Sequence, residues 1–239
     1  MTAASVCVIR RGREKARSAP WRGDQQTAVL TTMPDTPLPS ADFVRHCLKT
    51  LAGDGFSRVR TAALSPLEQA SFLAAGFTVE QELRLLALEL TDDPAAVPAG
   101  ARLVRVGRRR RREVLEVDAA AFAEFWRFDE LALADALGAT PHVRFRAAAS
   151  RFGPIEGYAI CGRAGRRGYV QRLAVHPERQ GRGTGRRLLL DGLSWLVRAG
   201  ATKAFVNTQV GNAAALSLYR DVGFEEEAVG LSVLSSRVP

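Results

Sequence analysis

The sequence is short of several residue types, and each shortage removes a class of reading. Its three cysteines, Cys7, Cys47 and Cys161, are an odd number, lie far apart and form no CxxC or Cys/His spacing. Neither a disulfide framework nor a metal site is expected, and the three read as small buried hydrophobes. No run approaches the roughly 18 uninterrupted apolar residues of a membrane-spanning helix. Met1 to Arg17 has a short apolar run followed by arginines, without an apolar signal core or a small-residue cleavage site. We therefore expect a mature cytoplasmic N-terminus and no membrane partner. Lysine is confined to Lys15, Lys49 and Lys203 among 34 basic residues. With abundant alanine, that bias towards arginine matches the coding habit of a GC-rich genome, so arginine content alone is weak evidence for nucleic-acid binding.

What is present describes a folded chain. Its 239 residues, 46% hydrophobic, 25% charged and 7% aromatic, suffice for one large domain or two small ones, and wholesale disorder is not expected. The net charge of +9 is unevenly spread. Residues 1–99 carry 11 Lys+Arg against 11 Asp+Glu, and residues 100–239 hold the remaining 23 against 14. The second half therefore favours an anionic partner.

A linker is read at Thr91–Gly100, TDDPAAVPAG, where prolines interrupt the flanking patterns. It divides the chain into domains 1–99 and 100–239. In the second domain, Arg102–Val106 alternates as a strand, and Glu113–Phe125 is helical with Leu115, Ala119 and Phe122 inward. Asp129–Leu137 is a second helix ended by Gly138. His142–Ala148, Gly157–Gly162 and Gly168–Val175 follow as strands of an antiparallel meander. A helix over Gly183–Arg198 has Leu189, Leu193, Leu196 and Val197 inward and stops at Gly200. Ala204–Thr208 is a strand, Asn212–Val222 a helix capped by Asn212, and Val229–Leu234 a last strand. The first half repeats part of this plan at an offset of 147: Ala52-Gly53 falls on Ala199-Gly200, Val59 on Val206, Thr61 on Thr208, and Gly76-Phe77 on Gly223-Phe224. These identities punctuate the same order of helix, glycine stop, strand, helix and Gly-Phe turn, which points to an internal duplication.

The segment richest in chemistry runs from Leu173 to Leu189 and joins a strand to a helix through Gln180-Gly181-Arg182-Gly183-Thr184-Gly185-Arg186. Glycines let backbone approach a ligand closely, and successive N–H groups at a helix start form an anion site strengthened by the helix dipole. Arg182, Arg186 and Arg187 add charge, so the stretch describes a pyrophosphate cradle. A Rossmann fingerprint fails because the glycines run G-x-G-x-G with no carboxylate over residues 202–207, and a P-loop fails because no G-K-S/T occurs.

These residues resemble the GNAT superfamily of acyl-CoA-dependent N-acetyltransferases. The family's loop has the form Q/R-x-x-G-x-G/A after a strand reading L-x-V-x-P, which Gln180–Gly185 after Leu173-Ala174-Val175-His176-Pro177 fits. Its second element, N-x-x-A-x-x-L-Y-x-x-x-G-F, is matched by Asn212, Ala215, Leu218, Tyr219, Gly223 and Phe224. The resemblance covers about residues 101–239 and implies an α/β (α+β) fold: a mixed, mostly antiparallel sheet flanked by helices, in two tandem GNAT-like domains. It also implies that Leu173, Ala174 and Val175 splay from Ala204–Thr208 and pair with the pantetheine arm of acetyl-CoA or another short acyl-CoA. Gln180, Gly181, Arg182, Gly183, Thr184, Gly185 and Arg186 would hold the pyrophosphate, Asn212 the polar arm, and Tyr219 would be the general acid for the leaving thiolate.

The implied activity is acetyl transfer to a primary amine, a small molecule or a protein N-terminus or lysine, by direct attack in a ternary complex. The base is open, because Gly157 to Pro177 holds no Asp or Glu; Glu124, Glu156 and His176, or ordered water through a backbone carbonyl, are candidates. The first half reads as a degenerate, non-catalytic copy. Phe72 stands where Tyr219 does, and Met33–Leu38 at the loop's place has two prolines and no glycine. The alternative is an acyl-CoA-binding regulatory module without turnover, associated with nucleic acid or the ribosome through Arg108–Arg112. That arginine run reads first as a solvated loop and helix start.

Overall fold

The structure, a computed structural model, describes residues 6–22, 24–33, 36–91, 102–149 and 153–239. Its first elements are β1 (Cys7–Arg11), β2 (Glu14–Trp21), β3 (Asp24–Thr32), α1 (Ala41–Gly53), β4 (Arg58–Thr61), α2 (Pro66–Ala74) and β5 (Thr78–Glu89). There follow β6 (Leu103–Arg105), α3 (Arg111–Ala121), α4 (Glu130–Gly138), β7 (His142–Ala149), β8 (Ile155–Ala164) and β9 (Arg167–Val175). The chain ends with α5 (Thr184–Arg198), β10 (Lys203–Gln209), α6 (Ala213–Val222), β11 (Glu225–Glu226) and β12 (Leu231–Arg237).

Two compact units emerge: Met1–Leu85 with Thr208–Gly211 and Glu227–Pro239, and Leu86–Asn207 with Asn212–Glu226. This division differs from a cut between 99 and 100, because the C-terminal strand packs with the first unit. The expected linker lies, beyond Thr91, outside the described residues, as do Met1–Ser5 and Pro34-Asp35 of the 33–38 stretch.

In the first unit β1, β2 and β3 form an antiparallel meander, and β3 connects through α1 to the parallel strand β4. Helix α1 is capped by the Ser40 hydroxyl, which accepts from the Phe43 N–H, and buries Phe43, Val44, Cys47, Leu48 and Leu51. Strand β12 lies between β4 and β5, antiparallel to both. Leu234 is fully buried there, and its N–H donates to the Thr61 hydroxyl at 2.9 Å.

In the second unit β6, β7, β8 and β9 pair antiparallel, and β10 joins β9 in parallel. The end of β5, Leu86–Glu89, carries β11 and continues the sheet beside β10. Cys161 belongs to the core under α5, while its neighbour Ile160 belongs to the core under α3, as alternation along a strand requires. The sheets are thus mixed and mostly antiparallel, flanked by helices, as expected.

Several local expectations are corrected. Helix α3 ends at Ala121 because Phe122 turns extended (φ −120°, ψ 147°), and Glu124–Trp126 is a 3-10 turn. The buried face of α3 is Val114, Val117 and Asp118, whereas Ala119 is exposed. The last strand starts at Leu231, two residues later than read. The duplication is real in form but not gapless. In α1 the Phe56 N–H reaches the Leu51 carbonyl with Gly55 at φ +91°, and in α5 the Ala201 N–H reaches Leu196 with Gly200 at φ +83°. These ends correspond at an offset of 145 (196 minus 51), whereas Phe77 N–H to Phe72 and Phe224 N–H to Tyr219 correspond at 147 (219 minus 72). Gly53 is therefore not the counterpart of Gly200.

Candidate active site

The site is built where β9 parts from β10. Their parallel ladder runs from Arg167↔Lys203 to Val170↔Val206 and stops. There Cys161 of β8 pairs with Val170 and Ile160 with Arg172, leaving Gln171 as an extra residue, a β-bulge that bends the strand. Leu173, Ala174 and Val175 pair only with β8 and form no ladder with β10.

The chain then turns through His176–Gly183. Gly181 and Gly183 have φ of +72° and +77°, where any residue with a Cβ would be strained by about 1–2 kcal/mol. Gly183 caps α5, and the first intrahelical bond runs from the Arg187 N–H to the Gly183 carbonyl at 3.0 Å. The N–H groups of Thr184, Gly185 and Arg186 therefore have no acceptor inside the helix and point out of its positive end. The Gln180 side chain ties this loop to the strand by donating from Nε2 to the Val175 carbonyl at 3.1 Å.

A cleft of about 500 Å3 opens over these groups. Leu173, Ala174 and Val175 line it from β9, and Gln180, Gly181, Gly183, Thr184, Gly185 and Arg186 from the loop and the start of α5. Arg182 is exposed and does not line it, whereas Arg179 does. Arg187, expected to add charge to the loop, is instead buried.

Helix α6 supplies the far wall. Asn212 caps it, its Oδ1 accepting from the Ala215 N–H at 3.2 Å, and Tyr219 lies seven residues on, two turns along the same face. Both line the cleft. Tyr219 is 5% exposed, its hydroxyl makes no hydrogen bond among the described residues, and burial raises its pKa above the phenol's ordinary 10.0. Cys161 shares its apolar cluster, and burial pushes that thiol up to about 12.

Residues 112–224 match the family model described as the acetyltransferase (GNAT) family. This segment is a GNAT acetyltransferase domain. Over 97 residues, 39% of the chain, the sequence is 41% identical to the N-alpha-acetyltransferase RimI of Mycobacterium tuberculosis and spans 58% of it. Over 58 residues, 24% of the chain, it is 38% identical to a mycothiol acetyltransferase of Kocuria rhizophila and spans 19% of that protein. Less than two thirds of either relative is therefore covered. The fold of the whole chain resembles a tandem GNAT protein from the clavulanic acid biosynthesis pathway, with TM-score 0.70 at 15% identity, covering 100% of this chain and 84% of that one. A GCN5-related N-acetyltransferase from Kribbella flavida gives TM-score 0.63 at 16% identity, covering 97% and 90%. The architecture is that of tandem GNAT-like units.

Within the GNAT domain none of the three base candidates lines the cleft. Glu124 is exposed, Glu156 lies 4.0 Å from Arg179, and His176 accepts at Nδ1 from the Glu178 N–H at 3.4 Å. Of the arginine run, Arg108–Arg110 form a 3-10 turn leading into α3, Arg110 is bidentate to Glu113 at 2.8 and 2.6 Å, and Arg112 faces Glu116 at 3.5 Å.

The sequence reading missed one buried group, Asp118 with Tyr158 and Arg172. A carboxylate on the inward face of α3 was its signal, obscured by placing the helix's buried stripe one residue off.

The first unit differs at the equivalent place. The Glu14 carboxylate accepts from the Ser40 N–H at 2.5 Å and from its hydroxyl at 3.2 Å, so an internal anion caps the start of α1. Phe72 is buried against Phe77, ring centroids 5.3 Å apart.

Proposed function

We propose that the GNAT domain transfers an acetyl or short acyl group from CoA to a primary amine by direct attack in a ternary complex. The observation that carries this reading is one cleft that joins the unladdered stretch of β9, the open N–H groups of α5 and the Tyr219 phenol. In this reading Leu173, Ala174 and Val175 offer backbone groups to the donor's amide-bearing arm, and Gly181 to Arg186 receive its diphosphate, with Arg179 adding charge where Arg182 was expected. Asn212 orients the arm. Tyr219, kept neutral by burial, donates its proton to the departing thiolate. The amine loses its proton to water or to a group outside the cleft lining, since no carboxylate among the described residues lines it.

The likeness to a relative named an N-alpha-acetyltransferase supports an α-amino group as the first acceptor to screen, before lysine side chains and small amines. The first unit we assign a non-catalytic role. Glu14 at the start of α1 and Phe72 in place of the phenol support this.

Calorimetric titration of acetyl-CoA into the full chain tests the reading. One site per chain is expected, abolished by Gly183→Glu, which combines a side chain at positive φ with a negative charge at the anion site. Absence of binding overturns the reading, and two sites would overturn the role given to the first unit. The missing carboxylate favours a second reading, an acyl-CoA-binding module without turnover. It predicts the same single site with no thiol released in the presence of any screened amine.

A further inference from the structure

One cluster of the GNAT domain takes no part in holding the donor. Asp118, fully buried on α3, accepts at Oδ2 from the Tyr158 hydroxyl at 2.5 Å and from Arg172 Nε at 2.8 Å. Its Oδ1 accepts from Arg172 Nη2 at 2.9 Å and from the Phe128 N–H at 2.6 Å. Arg172 Nη2 also donates to the Trp126 carbonyl at 2.6 Å, and the guanidinium lies 3.5 Å from the centre of the Phe122 ring and 4.0 Å from that of Phe128. The Phe128 N–H, the Trp126 carbonyl and the rings of Phe122 and Phe128 thus all meet one buried ion pair. The regular structure of the segment from Phe122 to Phe128 is a 3-10 turn over Glu124–Trp126, and Arg127 Nε also donates to the Phe122 carbonyl at 3.1 Å.

Desolvating two charges is costly, and a buried pair stabilises a fold poorly compared with apolar packing. What this pair does supply is geometry: two ring faces, one backbone donor and one backbone acceptor are held at fixed places around a planar fork. The cleft shows why that geometry matters. Its lining residues outside β9, the loop, α5 and α6 are Ala121 and Phe122, and the Phe122 ring that reaches the cleft is the one against which Arg172 packs. Arg172 immediately precedes Leu173, and the same strand therefore serves both sides of the cleft.

We propose that Asp118, Arg172 and Tyr158 are positioning residues that fix the Phe122–Phe128 segment, and with it the wall that Phe122 gives the cleft, and so set recognition of the amine acceptor independently of donor affinity. The proposal rests on the transferase reading for what the wall recognises, and on the geometry alone for what holds it.

The test uses the full chain with Tyr158→Phe, which deletes one bond, and Arg172→Lys, which keeps the charge but loses the fork. Hydrogen exchange of the peptide spanning residues 122–129 is expected to quicken about tenfold in Arg172→Lys and less in Tyr158→Phe, with the acetyl-CoA Kd unchanged within about twofold. With the acceptor found in the amine screen, KM should rise about tenfold while kcat stays within about threefold. Unchanged exchange over 122–129 in both variants overturns the clamp, and so does donor affinity that falls in step with acceptor KM. Should Arg172→Lys fail to fold, Tyr158→Phe alone still decides. A wild type that acetylates no amine sinks the transferase reading, while the exchange result separately judges the clamp.

Discussion

Replacing Tyr219 by phenylalanine removes one oxygen from a buried ring, and the structure sets what should follow. The hydroxyl has no hydrogen-bond partner among the described residues and sits on a side chain 5% exposed. Tyr219 lines the cleft, so its hydroxyl meets solvent and no protein hydrogen bond is lost with it. Its removal should therefore leave Tm within a few degrees of wild type. The chemistry should respond far more. A positioned general acid contributes about 10^2–10^4 in rate, equivalent to about 2.7–5.4 kcal/mol of barrier.

Burial raises the Tyr219 pKa, so the proton is present throughout the range below the phenol's ordinary 10.0, and no falling limb of the rate profile should trace to this residue there. A higher pKa also makes a weaker acid. A thiolate leaving beside the same apolar ring is partly desolvated too and so a stronger base than in water, which brings proton transfer to it closer to balanced. The assay is thiol release under saturating acetyl-CoA and acceptor, paired with calorimetry. We expect kcat to fall at least about a hundredfold with the acetyl-CoA Kd unchanged. A variant that keeps about a third or more of wild-type kcat would refute the assignment.

Two further predictions concern the first unit. Leu234→Ala, at a fully buried position of β12, should lower unfolding free energy by about 2–5 kcal/mol and speed hydrogen exchange in β4 and in residues 78–85, which flank it; exchange confined to residues 231–237 would contradict the strand's central place. The Arg60 guanidinium, bonded to Glu80 at 2.7 and 2.8 Å, holds that carboxyl below its ordinary 4.5. A depressed pKa gives stability that is present above the unfolded value and lost as pH falls through the folded one. The deficit of Glu80→Gln relative to wild type should therefore shrink on acidification from pH 7 to about 3, and a constant deficit would show that the pair contributes nothing through ionisation.

Much of the local geometry of the cleft was legible because its determinants are local. Gly181 and Gly183 permit positive φ, Asn212 caps the helix it begins, and Tyr219 follows it at two helical turns. Each of these depends on neighbours within a few residues, and so did the helix stops at Gly200 and Gly223. Arg182 and Arg187 show the limit of that logic. Their positions in the loop and first turn were clear, but which way each side chain faces depends on what packs against the helix, and one is exposed while the other is buried.

The features that escaped the sequence all join distant parts of the chain. The bulge at Gln171 exists only in the register between β8 and β9, since a strand read alone has no partner to be out of step with. Asp118 and Arg172 meet across 54 residues, and neither has a local signature that names the other. The alternation of residues 231–237 makes a strand, but nothing in it says that the strand belongs between β4 and β5 of the opening half. Backbone dihedral preference and helical periodicity are properties of a short stretch and are written in its residues. Register, partner choice and the burial of a charge are decided by the free energy of the assembled core, which only the tertiary structure expresses.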